Sequence, residues 1–432
     1  MPTPVPRTLL TPSEATQAIL AEISPLPVER VPLLEARGRV LAEQVTSPID
    51  IPQWDNSSMD GYAVREDDLT GGAEGAEGAE RSGGAGVTLQ VIETIPAGAF
   101  PQATLGPREC ARVFTGAPVP EGTDCVIRQE HTTRLDEQTV RIDGLIDLGR
   151  NVRRKGEDIE FGSVVFDPGT EVGAAQIGVL ASLAQSEVAV HRVPCVAILT
   201  SGDEIVDLDQ RDAILTGKKI ASSNTYAMMA MAREAGAEPM NLGIALDDPF
   251  DLRHRLENAA TADVVVTSGA MSVGEHDHLR SILEDAGTDM KFWRLKTRPG
   301  APVGFGILNG KPWVGLPGNP VSTMVSFELF VRPAIRRLMG HLRLFRSTQE
   351  VRVGDPISTP PKLTHFLRVF LTKEAGVLVA RQTGPQRSGI LSSMARADAL
   401  LIVPEDVDGF DVGDTARVIR LNEVEHTEEM PY

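Results

Sequence analysis

PCVAILTSGDE, residues 194–204, decides the fold: it is a continuous apolar run that stops at a loop of glycine and acids. The pattern repeats in DVVVTSG at 263–269 and PWVGLPGNP at 312–320, with helical stretches between and after, NTYAMMAMAREAGA at 224–237 and VSTMVSFELFVRPAIRRLMG from 321. Runs apolar on both faces, alternating with helices, predict a parallel sheet covered on both sides. The expectation is a central three-layer α/β domain over 194–340.

Outward from this unit the signals change. Towards the N-terminus, TPSEATQAILAEI offers Thr11 as N-cap, Pro12 at the first helical position and Glu14 three residues after the cap, which predicts a short amphipathic helix. GRVLAEQV, CARVF, DCVIRQ and SEVAVHRV then read as short strands, making 1–193 an irregular β-rich region. Within it, GGAEGAEGAERSGGAG at 71–86 has almost no large side chains and reads as a mobile insertion. After 345 strand signals stand alone, in EVRVGD, HFLRVFLT, GVLVARQ, ALLIVPE and TARVIRL, predicting a small β-barrel-like domain over 345–424. The chain is therefore multidomain α/β plus β.

Composition bounds the function. A chain of 432 residues is too long for one ordinary core, and 41% apolar with 24% charged residues is globular usage. A net charge of −18 repels polyanions and anionic membrane surfaces, so nucleic acid is disfavoured as a partner and an anionic substrate needs a local cluster of cations. Cys110, Cys125 and Cys195 are too widely spaced for a disulfide framework or a metal knuckle, and they suit a reducing cytoplasm. The N-terminus lacks a basic stretch followed by an apolar one, and no run approaches a membrane span, so an untargeted soluble protein is expected.

Three loops follow the three buried runs: SGDE at 201–204, SGAMSVGEHD at 268–277 and LPGNPVS at 316–322. Ligands of open α/β sheets bind beyond the carboxyl ends of the strands, so these loops are expected to share one crevice. Gly269 and Gly274 let backbone amides approach an anion, and Ser268 and Ser272 add hydroxyls. Gly318 is expected in a conformation closed to other residues, with Pro320 opening a helix whose N-terminus attracts anions. Asp203, Glu204, Asp247, Asp248, Glu275 and Asp277 supply carboxylates of the sparse kind that hold Mg2+ beside phosphate, although DDP at 247–249 reads equally as a helix cap. In FWRLKTRPG, Arg294, Lys296 and Arg298 share one face if the segment is extended, forming an oxyanion cradle or a charged edge strand. The turn around Arg150, Arg153, Arg154 and Lys155 is a second basic cluster.

Seven ordered motifs resemble the molybdopterin molybdotransferases (MoeA, and the E domain of gephyrin): PQWDNSSMDGYAV, FTGAPVPEGTDCVIRQE, RRKGEDI, TSGDEI, SGAMSVGEHD, RPGAP and LPGNPVS. The resemblance implies insertion of molybdenum from molybdate into adenylylated molybdopterin, with release of AMP, by a Mg2+-dependent homodimer in transient contact with other enzymes of that biosynthesis. It implies that Asp60, Thr115, Asp158, Glu204, Arg294 and Arg298 serve catalysis and that Asp247 and Asp277 hold metal. It further implies that Ser268, Gly269, Ser272, Gly274, Pro317, Gly318, Asn319, Arg368 and Ser388 bind the substrates, with Arg298, Arg368 and Ser388 on molybdate. The chain departs from the pattern at Arg294 and Arg298, where the family commonly has lysine, and at Ala270 and Ala301. Arginine keeps an anion-holding role there but not a proton-transfer one. A molybdopterin adenylyltransferase and a non-catalytic carrier are the alternatives; the long flanking regions argue against the first, and retention of Asp60, Glu204, Asp247 and Asp277 against the second.

Overall fold

A computed structural model describes residues 9–70, 86–269 and 278–421. Ser272, Gly274, Asp277, Ala270 and nearly all of the expected insertion at 71–86 lie outside the described residues. The chain forms two compact units, one made of Gln44–Asp167 with Ala181–Ala184, the other of the remaining residues. Among the described residues no helix is long and apolar enough to cross a membrane.

In the smaller unit, β1 (Gly61–Val64), β2 (Val87–Ile95), β3 (Glu109–Val113), β4 (Cys125–Arg128), β5 (Thr132–Arg134) and β6 (Thr139–Ile142) form one sheet in the order β4-β1-β3-β2-β6-β5. Its pairs are antiparallel except β2 with β3. Tyr62, Leu89, Ile127, Val140 and Ile142 fill one face. Asp147 lies buried beside this sheet, where Arg128 Nε donates to Oδ1 at 3.0 Å, the Arg128 amide donates to Oδ2 at 3.1 Å and His131 Nδ1 sits 2.8 Å from Oδ2. Burial pushes the Asp147 carboxyl up, but the Arg128 and His131 bonds outweigh it and hold it at about 2.

The larger unit opens with α1 (Pro12–Ala21), whose capping box is the expected one: the Glu14 amide donates to Thr11 Oγ1 at 3.3 Å and the Thr11 amide to Glu14 Oε2 at 2.8 Å. Its centre is a sheet of β7 (Cys195–Ser201), β8 (Glu238–Ala245), β9 (Val264–Ser268), β10 (Asp289–Phe292), β12 (Gly304–Leu308) and β13 (Lys311–Leu316), with the short β11 (Thr297–Arg298) branching off between β10 and β12. The order is β8-β7-β9-β13-β12-β10. Alternation divides the apolar runs between two cores. Val196, Ile198, Val264, Val266, Val314 and Leu316 face α2 (Ser223–Glu234), α1 and the helical stretch from Pro320 to Leu338, while Ala197, Leu199, Val265 and Trp313 face α3 (Pro249–Glu257) and α4 (His278–Asp285). The three-layer expectation is met.

The sheet is mixed rather than wholly parallel. β7, β8, β9 and β13 are parallel, but β12 and β13 form a hairpin and β10 pairs antiparallel to β12. The hairpin turn is Asn309-Gly310, with φ of 50° and 78°, the pair of left-handed residues that a two-residue hairpin loop demands. Nor is FWRLKTRPG one strand: β10 ends at Phe292, Leu295 makes an isolated bridge to Leu10, and Thr297–Arg298 pair parallel to β15 (Thr364–Glu374). Arg294 and Arg298 are exposed and Lys296 half-buried, so the alternation survives without a shared ladder.

After β13, α5 (Pro320–Ser326) runs through a π-helical segment, Phe327–Val331, into α6 (Arg332–Leu338). Beyond it, β14 (Thr348–Val353), β15, β16 (Val377–Gln382), β17 (Ala399–Val403) and β18 (Thr415–Arg420) close into a five-stranded barrel, in the order β15-β16-β14-β18-β17 and back to β15. Val351, Val353, Leu367, Val369, Leu401 and Val418 fill its interior.

Because the Asp147 carboxyl titrates below its ordinary value of 3.8, it stabilises the fold fully above that pH and loses the contribution as pH falls from about 4 to about 2. Asp147→Asn should therefore cost about 2 kcal/mol near neutral pH and progressively less towards pH 2. Denaturant titrations of both proteins between pH 7 and pH 3 check this; a pH-independent difference would count against the ionic origin.

Candidate functional site

The carboxyl ends of β7, β9 and β13 open onto a cleft of about 510 Å3 lined by Thr200–Gly202, Glu204, Asp247, Gly269 and Pro317–Pro320, with Ile205, Ile220 and Ala221 as an apolar wall. Asp203 and Gly318 thus fall at the same sheet edge. The pair at 247–248 divides its labour. Asp248 caps α3 by accepting from the Asp251 amide at 3.0 Å, whereas Asp247 lines the cleft and its amide donates to Asp203 Oδ1 at 3.0 Å. Lys219 Nζ donates to the Asp203 carbonyl at 2.6 Å, fixing the same turn from the other side.

Gly269 is the glycine that the geometry requires. It sits at φ 98°, and a Cβ there would lie 2.4 Å from the Ser201 carbonyl oxygen. Gly318, expected in a left-handed conformation, does not adopt one, and a Cβ on it would make ordinary contact 3.6 Å from Gly269 Cα. The start of α5 also differs from expectation. Pro320 has no N–H and the Val321 amide donates to the Ser388 carbonyl at 3.1 Å, so part of the anticipated anion-binding helix end is already committed.

Sequence reasoning missed the residue that joins the loops. Asn224, at the start of α2 and 6% exposed, donates through Nδ2 to Ser268 Oγ at 2.9 Å, to the Gly318 carbonyl at 2.8 Å and to Thr323 Oγ1 at 3.1 Å. Ser268 Oγ and Thr323 Oγ1 both donate to the Pro317 carbonyl, at 3.0 and 2.6 Å. Ser268 is fully buried, so its hydroxyl is spent on the scaffold beneath the cleft. The only signal in the sequence was a polar residue at a helix start, which a cap explains equally well.

A second cleft, of about 610 Å3, lies where β11 meets the barrel and is lined by Arg298, His365, Arg368, Gln386, Arg387 and neighbouring prolines. Arg368 occupies the outer face of β15, as alternation requires, yet it is 0% exposed because the loop at 384–393 covers it. Arg368 is thus neither solvent-facing nor on an edge strand. Its Nε donates to Ser393 Oγ at 3.1 Å, Nη1 to the Gln386 carbonyl at 3.3 Å, and Nη2 to the carbonyls of Pro385 and Arg387 at 3.3 and 3.2 Å. Burial pushes this guanidinium down to about 10, which leaves it charged at neutral pH. His365 is buried, its Nε2 2.9 Å from the Pro360 carbonyl, and burial lowers its pKa.

In the smaller unit, Asp60 Oδ1 accepts from both the amide and the hydroxyl of Thr115, each at 2.8 Å, and those bonds hold the carboxyl below its usual range. Asp158 is exposed on another turn, its amide bonded to the Ile51 carbonyl at 3.0 Å. The basic turn is partly neutralised: Arg154 pairs with Asp55 at 2.6 Å and Lys155 with Asp50 at 3.2 Å.

The larger unit thus combines an α/β sheet, an acid-rimmed, glycine-lined cleft at its carboxyl edge and a closed five-stranded β-barrel. The comparisons give the family. Residues 10–184 match the MoeA N-terminal region (domain I and II), 197–337 a probable molybdopterin binding domain, and 350–421 the MoeA C-terminal region (domain IV). A molybdopterin molybdenumtransferase of Nostoc sp. is 36% identical over 399 residues, covering 91% of this chain and 88% of its own. One from Haemophilus influenzae is 31% identical over 96% of this chain and 99% of its own. The crystal structure of the molybdopterin biosynthesis moeA protein from Pyrococcus horikoshii OT3 superposes with a TM-score of 0.79 at 27% identity, over 96% of this chain and 100% of that one. The chain belongs to the MoeA family of molybdopterin molybdenumtransferases.

Asn224→Ala removes two N–H donors shared among three acceptors, of which the Ser268 and Thr323 hydroxyls stay buried, so it should cost about 1–3 kcal/mol. Chemical denaturation compared with wild type measures it; equal stability would mean that these bonds do not secure the loops.

Proposed function

We propose that this chain is a transferase of molybdenum cofactor biosynthesis that inserts molybdenum from molybdate into adenylylated molybdopterin and releases AMP, with Mg2+ as cofactor, acting as a cytoplasmic homodimer. The observation that carries the reading is the meeting of Glu204 and Asp247 with the Gly269 and Pro317–Asn319 loops in one cleft, in a chain that carries all three MoeA regions.

The donor set fits Mg2+. This ion takes one or two carboxylates and completes its shell with water and substrate phosphate. Glu204 and Asp247 line the same cleft, and the Asp247 amide bond to Asp203 fixes that loop against its neighbour. Bound there, Mg2+ would neutralise phosphate oxygens. The chain's own groups do the positioning. Gly269 lets the backbone close against Ser201, Asn224 holds the loops after β9 and β13 together, and the side chain of Asn319 makes no cap bond to α5. Ile205 and Ile220 offer an apolar wall to a flat heterocycle. The cations lining the second cleft suit the molybdate dianion.

Purified protein given adenylylated molybdopterin, Mg2+ and molybdate should release AMP and molybdenum cofactor together. Asp247→Ala should reduce the Mg2+-dependent AMP release by about tenfold or more. Consumption of ATP without molybdate-dependent AMP release would identify an adenylyltransferase instead, and unchanged metal dependence would remove Asp247 from the metal site.

A further inference from the structure

In the smaller unit, the three residues that the resemblance assigns to catalysis stand on three separate segments: Asp60 just before β1, Thr115 on the loop after β3, and Asp158 on the turn at 153–159. Asp60 and Thr115 meet directly, whereas Asp158 bonds to neither among the described residues. The stretch 55–58 lies between the other two segments. On one side it is laddered to the Thr115 loop: the Val119 amide donates to the Asp55 carbonyl at 3.0 Å, the Ser57 amide to the Ala117 carbonyl at 2.9 Å and the Gly116 amide to the Ser57 carbonyl at 2.8 Å. On the other side Asn56–Ser57 pair antiparallel with Val152–Arg153. That ladder stops at Arg153 and contact resumes at Gly156, whose amide donates to the Pro52 carbonyl at 2.9 Å. In the gap the Asp55 carboxylate takes the place of a backbone acceptor. The Lys155 amide donates to its Oδ1 at 2.7 Å and Arg154 Nη1 to its Oδ2 at 2.6 Å. Burial pushes the Asp55 carboxyl up, but the bonds from Lys155 and Arg154 outweigh it and hold the group below its usual range.

We propose that Asp55 is a positioning residue of the transferase reaction: its carboxylate seats the turn that carries Asp158 against the stretch that leads to Asp60 and pairs with the Thr115 loop. The assignment rests on the proposed function and on the role implied for Asp158, and it names a side chain to which the resemblance gave no role. Asp60 Oδ2 and the Asp158 carboxylate have no hydrogen-bonding or ion-pair partner among the described residues, so both are open to a ligand. Of the two Asp55 contacts, the amide bond does the seating, because a carboxylate accepting from a backbone N–H fixes the chain itself. The ion pair with Arg154 joins side chains that are 36% and 56% exposed and adds little.

The test is a double-mutant cycle on molybdate-dependent AMP release by the full-length protein, with melting temperatures measured in parallel. Asp55→Ala should lower kcat about tenfold or more while KM changes less than about twofold, since it displaces a group that acts in the reaction. In Asp158→Ala that loss has already occurred, so adding Asp55→Ala to it should cost less than about twofold further. Losses that multiply would mean that Asp55 acts on the fold at large and would overturn the inference, as would a wild-type kcat in Asp55→Ala. If Asp55→Ala does not fold, Asp55→Asn enters the same cycle: its carbonyl keeps an acceptor for the Lys155 amide, and the smaller loss should again be absorbed by Asp158→Ala, with multiplying losses overturning the inference. An undiminished rate in Asp158→Ala alone would remove Asp158 from the reaction and the inference with it. Absence of AMP release by the wild-type protein would show instead that the proposed function fails first.

Discussion

Asn224 holds the central cleft in shape. Three donor contacts from one carboxamide reach a serine at the end of β9, a carbonyl in the loop after β13 and a threonine in α5. Two of the partners, the Ser268 and Thr323 hydroxyls, are buried, where an unpaired oxygen would be costly. The same residue that satisfies them fixes the distances between the loops. Gly269 then closes the remaining gap by letting its backbone lie against Ser201, which no side chain would allow. The acids are held at the rim of this assembly, and Asp203 accepts from the Asp247 amide and so joins two of the rim loops.

The broad architecture was legible because it follows from periodicity and caps. Thr11, Pro12 and Glu14 form the box that their spacing announces, and the three runs at 194, 263 and 312 are buried on both faces. The five strands after 345 were readable one by one, and their closure into a barrel gives each a protected edge. The direction of β12 and β10 was not read, although ILNGKPW carried the Asn-Gly signal of a hairpin.

Side-chain roles were less legible, for physical reasons. A glycine in a sequence says that φ is free, not which sign it takes, so Gly318 and Gly269 looked alike. Alternation in HFLRVFLT puts Arg368 on the outer face of its strand, but no local pattern reveals that a loop 16 or more residues later covers that face. Asn224 was hidden because its partners lie 44, 94 and 99 residues away. Glu204, Asp247 and the loops at 269 and 317 were legible as a group, since strand ends bring loops together whatever their separation.

The hydrogen bond from the Val321 amide to the Ser388 carbonyl is a mechanical tie between the two clefts. One end belongs to the helix that follows the Pro317–Pro320 wall of the first cleft, the other to the loop that Arg368 grips beside the second. A displacement of either loop is therefore transmitted as a pull on a helical turn rather than absorbed by a flexible linker. The loop at 384–388 acts less like a lid than like a bracket: it sets the spacing between the two clefts.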